Sequence, residues 1–218
     1  MPDRITDLDA TLKNAQTPQE EIDIINDLAW ELRDQQPDRA LTLAQRASEL
    51  STSGKFLVQP YNTGLAVSLT TRGYINLRQE KLDLALDECF SAIDLLDTET
   101  PSRAAIDSLR VISWVYYFLG DYANALTYGL KALDLSRAGG FKIQEARALD
   151  GLAAIHAASD DPQQALKEGE VALNLIREEH DENLEALVLN NIANILLEQG
   201  EYVRALEYSQ KSLETVHR

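Results

Sequence analysis

The chain has 218 residues, 44% hydrophobic and 26% charged, with only 10 Gly and 6 Pro, which excludes a disordered polymer and suits long helices joined by short turns. Acidic residues outnumber basic ones 36 to 20, a formal net charge of −16, which argues against nucleic acid and anionic membrane surfaces as partners, because their phosphates would be repelled. The single cysteine, Cys89, excludes an internal disulfide, a zinc cluster and any CxxC pair.

The start, Met1-Pro2-Asp3-Arg4, has neither a basic n-region nor an apolar h-region, and no stretch approaches about 18 consecutive apolar residues. Both features predict a cytoplasmic chain with no signal peptide and no membrane span. Within an N-terminal segment 1–19, Ile5, Leu8 and Leu12 are spaced for a short capping helix. Thr17-Pro18-Gln19-Glu20 then offers an N-cap Thr, a proline at the first helical position and a Glu at the capping-box position. Thr100-Pro101 and Asp161-Pro162 repeat the cap-then-proline device, and Gly54 and Gly139-Gly140 read as helix stops.

From residue 20 onward the pattern is periodic. Ala-Leu recurs at Ala40-Leu41, Ala85-Leu86, Ala125-Leu126, Ala165-Leu166 and Ala205-Leu206, at spacings of 45, 40, 40 and 40. Seven residues after each alanine stands another small residue: Ala47, Ala92, Ala132, Ala172, Ser212. A fixed period of this length predicts a stacked repeat array. The repeats span about 20–57, 58–98, 101–139, 141–179 and 182–218, and each reads as two amphipathic helices. In the last, Leu189, Ile192, Ala193 and Leu196 share one helical face, and after a turn at Gln199-Gly200-Glu201 a second helix places Ala205 and Leu206 inward. The recurrent Ala, Gly and Ser let two helix backbones approach closely at the same crossing in every repeat.

Leu109, Ile112-Ser113, Tyr116, Gly120-Asp121-Tyr122, Ala125 and Ala132 carry the pattern of the tetratricopeptide-repeat family most fully, and Leu189, Ile192-Ala193, Leu196, Gly200-Glu201-Tyr202 and Ala205 follow closely. The chain resembles that family over about residues 20–218. The usual unit is about 34 residues. The longer unit here is similar to the variety in kinesin light chains, spindle-orientation adaptors and bacterial peptide-pheromone regulators. The resemblance implies an all-α, right-handed α-solenoid of five helix-turn-helix repeats that binds protein or peptide. The second repeat departs from the pattern, with Arg72 and Asn76 on the expected core face.

In such arrays the first helices line the concave side. The positions beside the core stripe are Asn26, Trp30, Arg33; Thr70, Tyr74, Leu77; Arg110, Trp114, Tyr117; Asp150, Ala154, Ala157; and Asn190, Asn194, Leu197. Trp30, Tyr74 and Trp114 fall at one place in successive repeats and predict an aromatic stripe, since aromatics dominate binding hot spots. Packing against the neighbouring helix is the competing reading for all three. Asn190 and Asn194 suit a peptide backbone, because an amide both donates and accepts. Arg110 and Arg147 suit a carboxylate, or else pair locally with Asp107, Asp150 or Glu145. The expected partner is a protein or peptide of basic or apolar character. The lysines of the family's two-carboxylate clamp are missing from these faces, so that activity is not assigned.

No catalytic constellation, cofactor motif or metal site is expected. His156 falls on a core-facing position, His180 in the acidic loop Glu178–Glu182, and His217 in the last turn. Cys89 reads as a packed thiol, since Asp87 and Glu88 oppose a reactive thiolate. The last helix ends at Arg218 with Leu213 and Val216 on an open face, which predicts either a chain that continues or self-association, a homodimer, through that repeat. The run Asn26–Arg33 resembles repeat segments that precede cyclase, diguanylate cyclase or histidine kinase domains, implying the input region of a signalling protein. A structural oligomerisation scaffold is the alternative.

Overall fold

The computed structural model describes residues 4–96 and 100–216, so His217 lies outside the described residues. Among the described residues there are eleven α-helices and no strand. They divide into two compact units, Met1–Thr100 and Pro101–Arg218. The first unit holds α1 (Arg4–Leu12), α2 (Pro18–Leu32), α3 (Pro37–Ser51), a 3₁₀ turn (Gly54–Phe56), α4 (Asn62–Arg78) and α5 (Leu82–Asp94). The second holds α6 (Arg103–Phe118), α7 (Tyr122–Gly139), α8 (Lys142–Ala158), α9 (Pro162–Glu179), α10 (Glu182–Glu198) and α11 (Tyr202–Val216).

Local chemistry sets the helix ends. The Glu20 N–H donates to Thr17 Oγ1 at 3.1 Å, and the Glu20 carboxylate accepts the Gln16 N–H at 2.7 Å, which satisfies donors that the first turn leaves open. Asp121, Asp161 and Asp181 cap α7, α9 and α10 in the same way, accepting from Asn124, Gln164 and Leu184. At α6 the cap is Ser102, which accepts the Ala105 N–H at 3.2 Å. Thr100-Pro101 therefore precedes the helix instead of starting it, a correction of two residues. Gly54 also differs from its expected role: α3 has already ended at Ser51, and Gly54 opens the 3₁₀ turn.

Each first helix packs along the second helix of its own repeat, and the recurrent alanines lie at that crossing. Ala40, Ala85, Ala125 and Ala165 are wholly buried and Ala205 nearly so. Four residues on, Cys89, Gly129 and Gly169 touch the neighbouring first helix. A Cβ on Gly129 would come within 2.8 Å of Leu152 Cδ2 and 3.1 Å of Ser113 Oγ. Ser113 spends its hydroxyl on the Ala125 carbonyl at 2.7 Å. Small side chains here thus leave room for the first-helix side chains that pack over them, Leu152 on Gly129 and Ile192 on Gly169.

First helices also pack on the first helices of the next repeat, α2 on α4, and α6, α8 and α10 in series. Second helices do not pack on one another among the described residues. Each unit therefore presents an even layer of first helices on one side and open furrows between second helices on the other. In the first unit, α1 lays Ile5 and Leu8 against the cluster of Leu28, Leu32, Ala40 and Ile75. On α11 the core-facing expectation fails for Leu206, which is 59% exposed, because α10 covers only the side bearing Ala205 and Ser212.

Candidate functional site

The sequence-expected residues of the first unit turn out to be occupied by packing. Asn26 is buried, and its Nδ2 donates to the Gly64 carbonyl at 2.8 Å across the α2–α4 contact. Trp30 is buried too: Tyr74 lies against it with ring centroids 5.8 Å apart, and the Arg33 guanidinium covers it at 4.2 Å. Arg33 also donates to the Trp30 carbonyl and sits 5.2 Å from the Tyr74 ring. The Tyr74 hydroxyl donates to Asp34 Oδ1 at 2.7 Å, and burial followed by this carboxylate pushes its pKa up. Thr70 and Leu77 are buried as well. Asn26 and Trp30 are therefore corrected from groove residues to core residues, because a neighbouring first helix closes over both.

The second unit differs. Along the layer of α6, α8 and α10, charged and amide side chains cluster below an aromatic group. Arg110 Nη1 donates to Asp107 Oδ1 at 3.0 Å, and Asp107 is itself buried. One helix over, Asp150 is 8% exposed and accepts both Asn191 contacts, at 2.9 and 3.0 Å. Burial raises the Asp150 pKa, against the opposing pull of the Asn191 hydrogen bond and the Arg110 and Arg147 charges. The Nε of Arg147 is buried with no hydrogen-bond partner. Asp150 is thus a buried member of this network and not a groove-lining group, which corrects the expectation. Asn191, one residue away from the expected Asn190, is the amide that holds it.

Toward the C-terminal ends of the same helices the layer becomes apolar. Trp114 and Tyr117 meet edge to face at 5.2 Å, with Phe118 5.5 Å from Tyr117 and 61% exposed. The Trp114 ring lies 3.6 Å from where a Cβ on Gly151 would stand, so it rests on α8. Ala154 and Ala157 continue α8 as a low floor. On its far side Asn190, Asn194 and Leu197 of α10 are exposed. Glu198 contributes to the raised Tyr117 pKa, after burial and Tyr122. The α6–α8–α10 face thus carries aromatic side chains on α6, alanines on α8 and exposed amides on α10. It offers shape, hydrogen bonds and charge, and no nucleophile paired with a base.

Outside this face, His156 Nδ1 meets Glu168 Oε2 at 2.7 Å between α8 and α9, and His180 ends α9 in the left-handed region with φ 58°. Cys89 is wholly buried. Among the described residues, no group of three or more His, Cys, Asp or Glu is placed to hold a metal ion, and no helix is long and apolar enough to cross a membrane.

Over residues 144–216 the sequence matches the family model of the tetratricopeptide repeat. That segment, α8 to α11, therefore carries tetratricopeptide repeats. Comparison with curated protein sequences finds no significant match. Solved structures share the fold of this chain over most of its length. BtubC (BKLC) from P. vanneervenii superposes with a TM-score of 0.72 at 15% identity, covering 98% of this chain and 89% of that one. A Rap protein complexed with competence and sporulation factor superposes at 0.76 and 15% identity, covering 99% of this chain and 58% of that one. Pseudomonas aeruginosa pilF gives 0.63 at 18% identity, covering 91% and 78%. Identities this low speak to the fold alone.

Proposed function

We propose that this chain is a non-catalytic repeat module that seats a peptide segment of a partner protein in a shallow channel along the α6–α8–α10 face. Trp114 and Tyr117 take an apolar side chain of the ligand, and Asn190 and Asn194 pair with its backbone. The net charge of −16 selects basic or apolar ligands over acidic ones. The reading is carried by the cluster of Arg110, Arg147, Asp150 and Asn191 beneath the channel. Apolar side chains would pack these helices at lower cost, so buried charge here points to a task other than stability. The Rap structure, solved with competence and sporulation factor, supports a ligand-binding use of this fold. We further propose that the module works in the cytoplasm as the regulatory input of a larger signalling protein.

Selection from a random peptide library, followed by calorimetry, tests the first part. Selected peptides should bind wild type and lose about tenfold or more in affinity to Trp114→Ala, with Asn194→Ala also weakened. Unchanged affinity for a folded Trp114→Ala variant would refute the channel as the binding site. An immunoblot of native extract tests the input role: a mass well above 24.3 kDa supports it and a mass at that value opposes it.

A second reading rests on α11, where Leu206, Leu213 and Val216 are 59%, 63% and 62% exposed along one stripe. An apolar stripe of this kind suits self-association as a scaffold. Sedimentation of wild type and Leu213→Glu separates the readings, since a dimer that dissociates in the variant without any peptide favours the scaffold.

A further inference from the structure

In the first unit an open-sided cavity of about 670 Å³ lies between α3 and α5, with α4 as its floor. Leu41 and Gln45 of α3 form one wall, Leu84 and Glu88 of α5 the other, and Arg72 and Asn76 of α4 the base. Two of these residues are the ones that break the repeat pattern. One, two and three repeats on from Arg72 stand Ile112, Leu152 and Ile192, all fully buried. The fold therefore fills this place with an aliphatic side chain elsewhere, and a cation here answers no packing need.

Arg72 pairs with Glu88 through Oε1, and Glu88 Oε2 is buried with no hydrogen-bond partner. A carboxylate oxygen left without a donor costs more than a satisfied one, and burial raises the Glu88 pKa in spite of Arg72. Arg46, which pairs with Glu21 at 2.5 Å, and Glu49, which accepts from Gln45 at 2.9 Å, also line the cavity. Leu84, half exposed at the rim, and Leu41 add apolar surface. A volume of this size lies in the range of small-molecule sites, about 300–1,000 Å³.

We propose that this cavity binds a small zwitterion with an apolar side chain, of amino-acid to dipeptide size. Its ammonium pairs with the carboxylate of Glu88, whose side chain turns the enclosed Oε2 toward the cavity, its carboxylate faces Arg72, and its side chain lies between Leu41 and Leu84. The site is distinct from the channel of the second unit and stands or falls independently of it.

The test is amide-resolved NMR titration of the chain with L-leucine and L-leucyl-L-leucine, against N-acetyl-L-leucine, which lacks the ammonium, and isoamylamine, which lacks the carboxylate. At least one zwitterion should shift the Gln45, Leu84 and Glu88 amides in a saturable way, with both controls weaker by about tenfold or more. Glu88→Gln should show a similar loss. Leu84→Trp, a substitution at the exposed rim that leaves the ion pair intact, should fill the cavity and abolish binding in a folded chain. Either control binding as well as the zwitterions, no saturable shift with either zwitterion, or Leu84→Trp binding like wild type would overturn the assignment.

Discussion

His156 Nδ1 and Glu168 Oε2 lie 2.7 Å apart at the place where, one repeat earlier, Tyr116 and Tyr128 stack with centroids 5.5 Å apart and planes within 7°. The same two backbone positions, one on a first helix and one on the following second helix, thus hold an aromatic pair in one repeat and a polar pair in the next. The array fixes the distance between the positions, and each repeat chooses a chemistry that fits it.

That equivalence predicts a transplant. His156→Tyr leaves the buried Glu168 without its imidazole, and Glu168→Tyr leaves the imidazole facing a ring, so each single change should destabilise by about 1–3 kcal/mol. The double variant should recover part of the loss by stacking, giving a favourable coupling of about 0.5 kcal/mol or more. Urea denaturation of the four proteins measures it. A double variant no more stable than the worse single would show that the positions are not interchangeable.

Gly73 offers a second test at the helix crossing. A Cβ there would lie 2.4 Å from Cys89 Sγ and 3.3 Å from the Ala85 carbonyl oxygen. Alanine is the better helix former by about 1 kcal/mol, so a gain is the naive expectation. Overpacking at this contact should reverse it, with Gly73→Ala costing about 1–3 kcal/mol net. Cys89→Ala removes the sulfur and should rescue most of the loss in the double variant. If Gly73→Ala is as stable as wild type in denaturant, the crossing is looser than its geometry implies.

The architecture was legible because the alanines at the crossing recur with the repeat, and each is buried in its own repeat's helix pair. The site was less so. Asn26 sits on the stripe beside the core, but its partner is the Gly64 carbonyl, 38 residues away, and no local pattern signals that bond. Asp150 and Asn191 are 41 residues apart, one repeat plus one residue, which places them on adjacent first helices. That offset was the available clue, and reading only equivalent positions favoured Asn190 instead. Trp30 and Trp114 share a register, yet Arg33 covers the first while the second rests on α8 beside small alanines. What stands next to an aromatic ring, and not its place in the repeat, decides whether it can meet a ligand.

The turns between paired helices give a third prediction. At Gly120 and Gly200 the chain adopts φ of 74° and 76°, whereas at the equivalent Glu80 and Asp160 it adopts 60° and 66°. In all four the next N–H closes the turn, reaching the carbonyls of Tyr116, Leu196, Asn76 and His156 at 2.9 Å. A residue with a Cβ is strained there by about 1–2 kcal/mol, while glycine gives back some of this through its freer unfolded chain. Glu80→Gly and Asp160→Gly should each stabilise by about 0.5–1 kcal/mol, read as a higher urea midpoint with unchanged slope. No gain in either variant would mean the side chains compensate for the backbone.

Asp150 ties stability to the candidate site. Its carboxyl is buried, and the cost of desolvation exceeds what Asn191, Arg110 and Arg147 return, so its pKa lies above the ordinary value of about 4. A raised folded-state pKa means that the folded chain binds this proton more tightly than the unfolded chain does. The contribution to stability is therefore fully present below about pH 4 and is lost as pH rises through the folded value. Asp150→Asn keeps an oxygen for Asn191 and removes the charge, so it should raise the melting temperature at pH 7 and flatten the fall in stability above pH 4. The same variant should weaken binding of peptides selected on the wild-type channel, because the charges that order its floor are changed. Thermal melts across this pH range, paired with calorimetry, read both effects. A variant that melts lower at pH 7 would show that the arginines and Asn191 repay the burial in full. A variant that is more stable and binds unchanged would leave the buried carboxylate without a part in recognition.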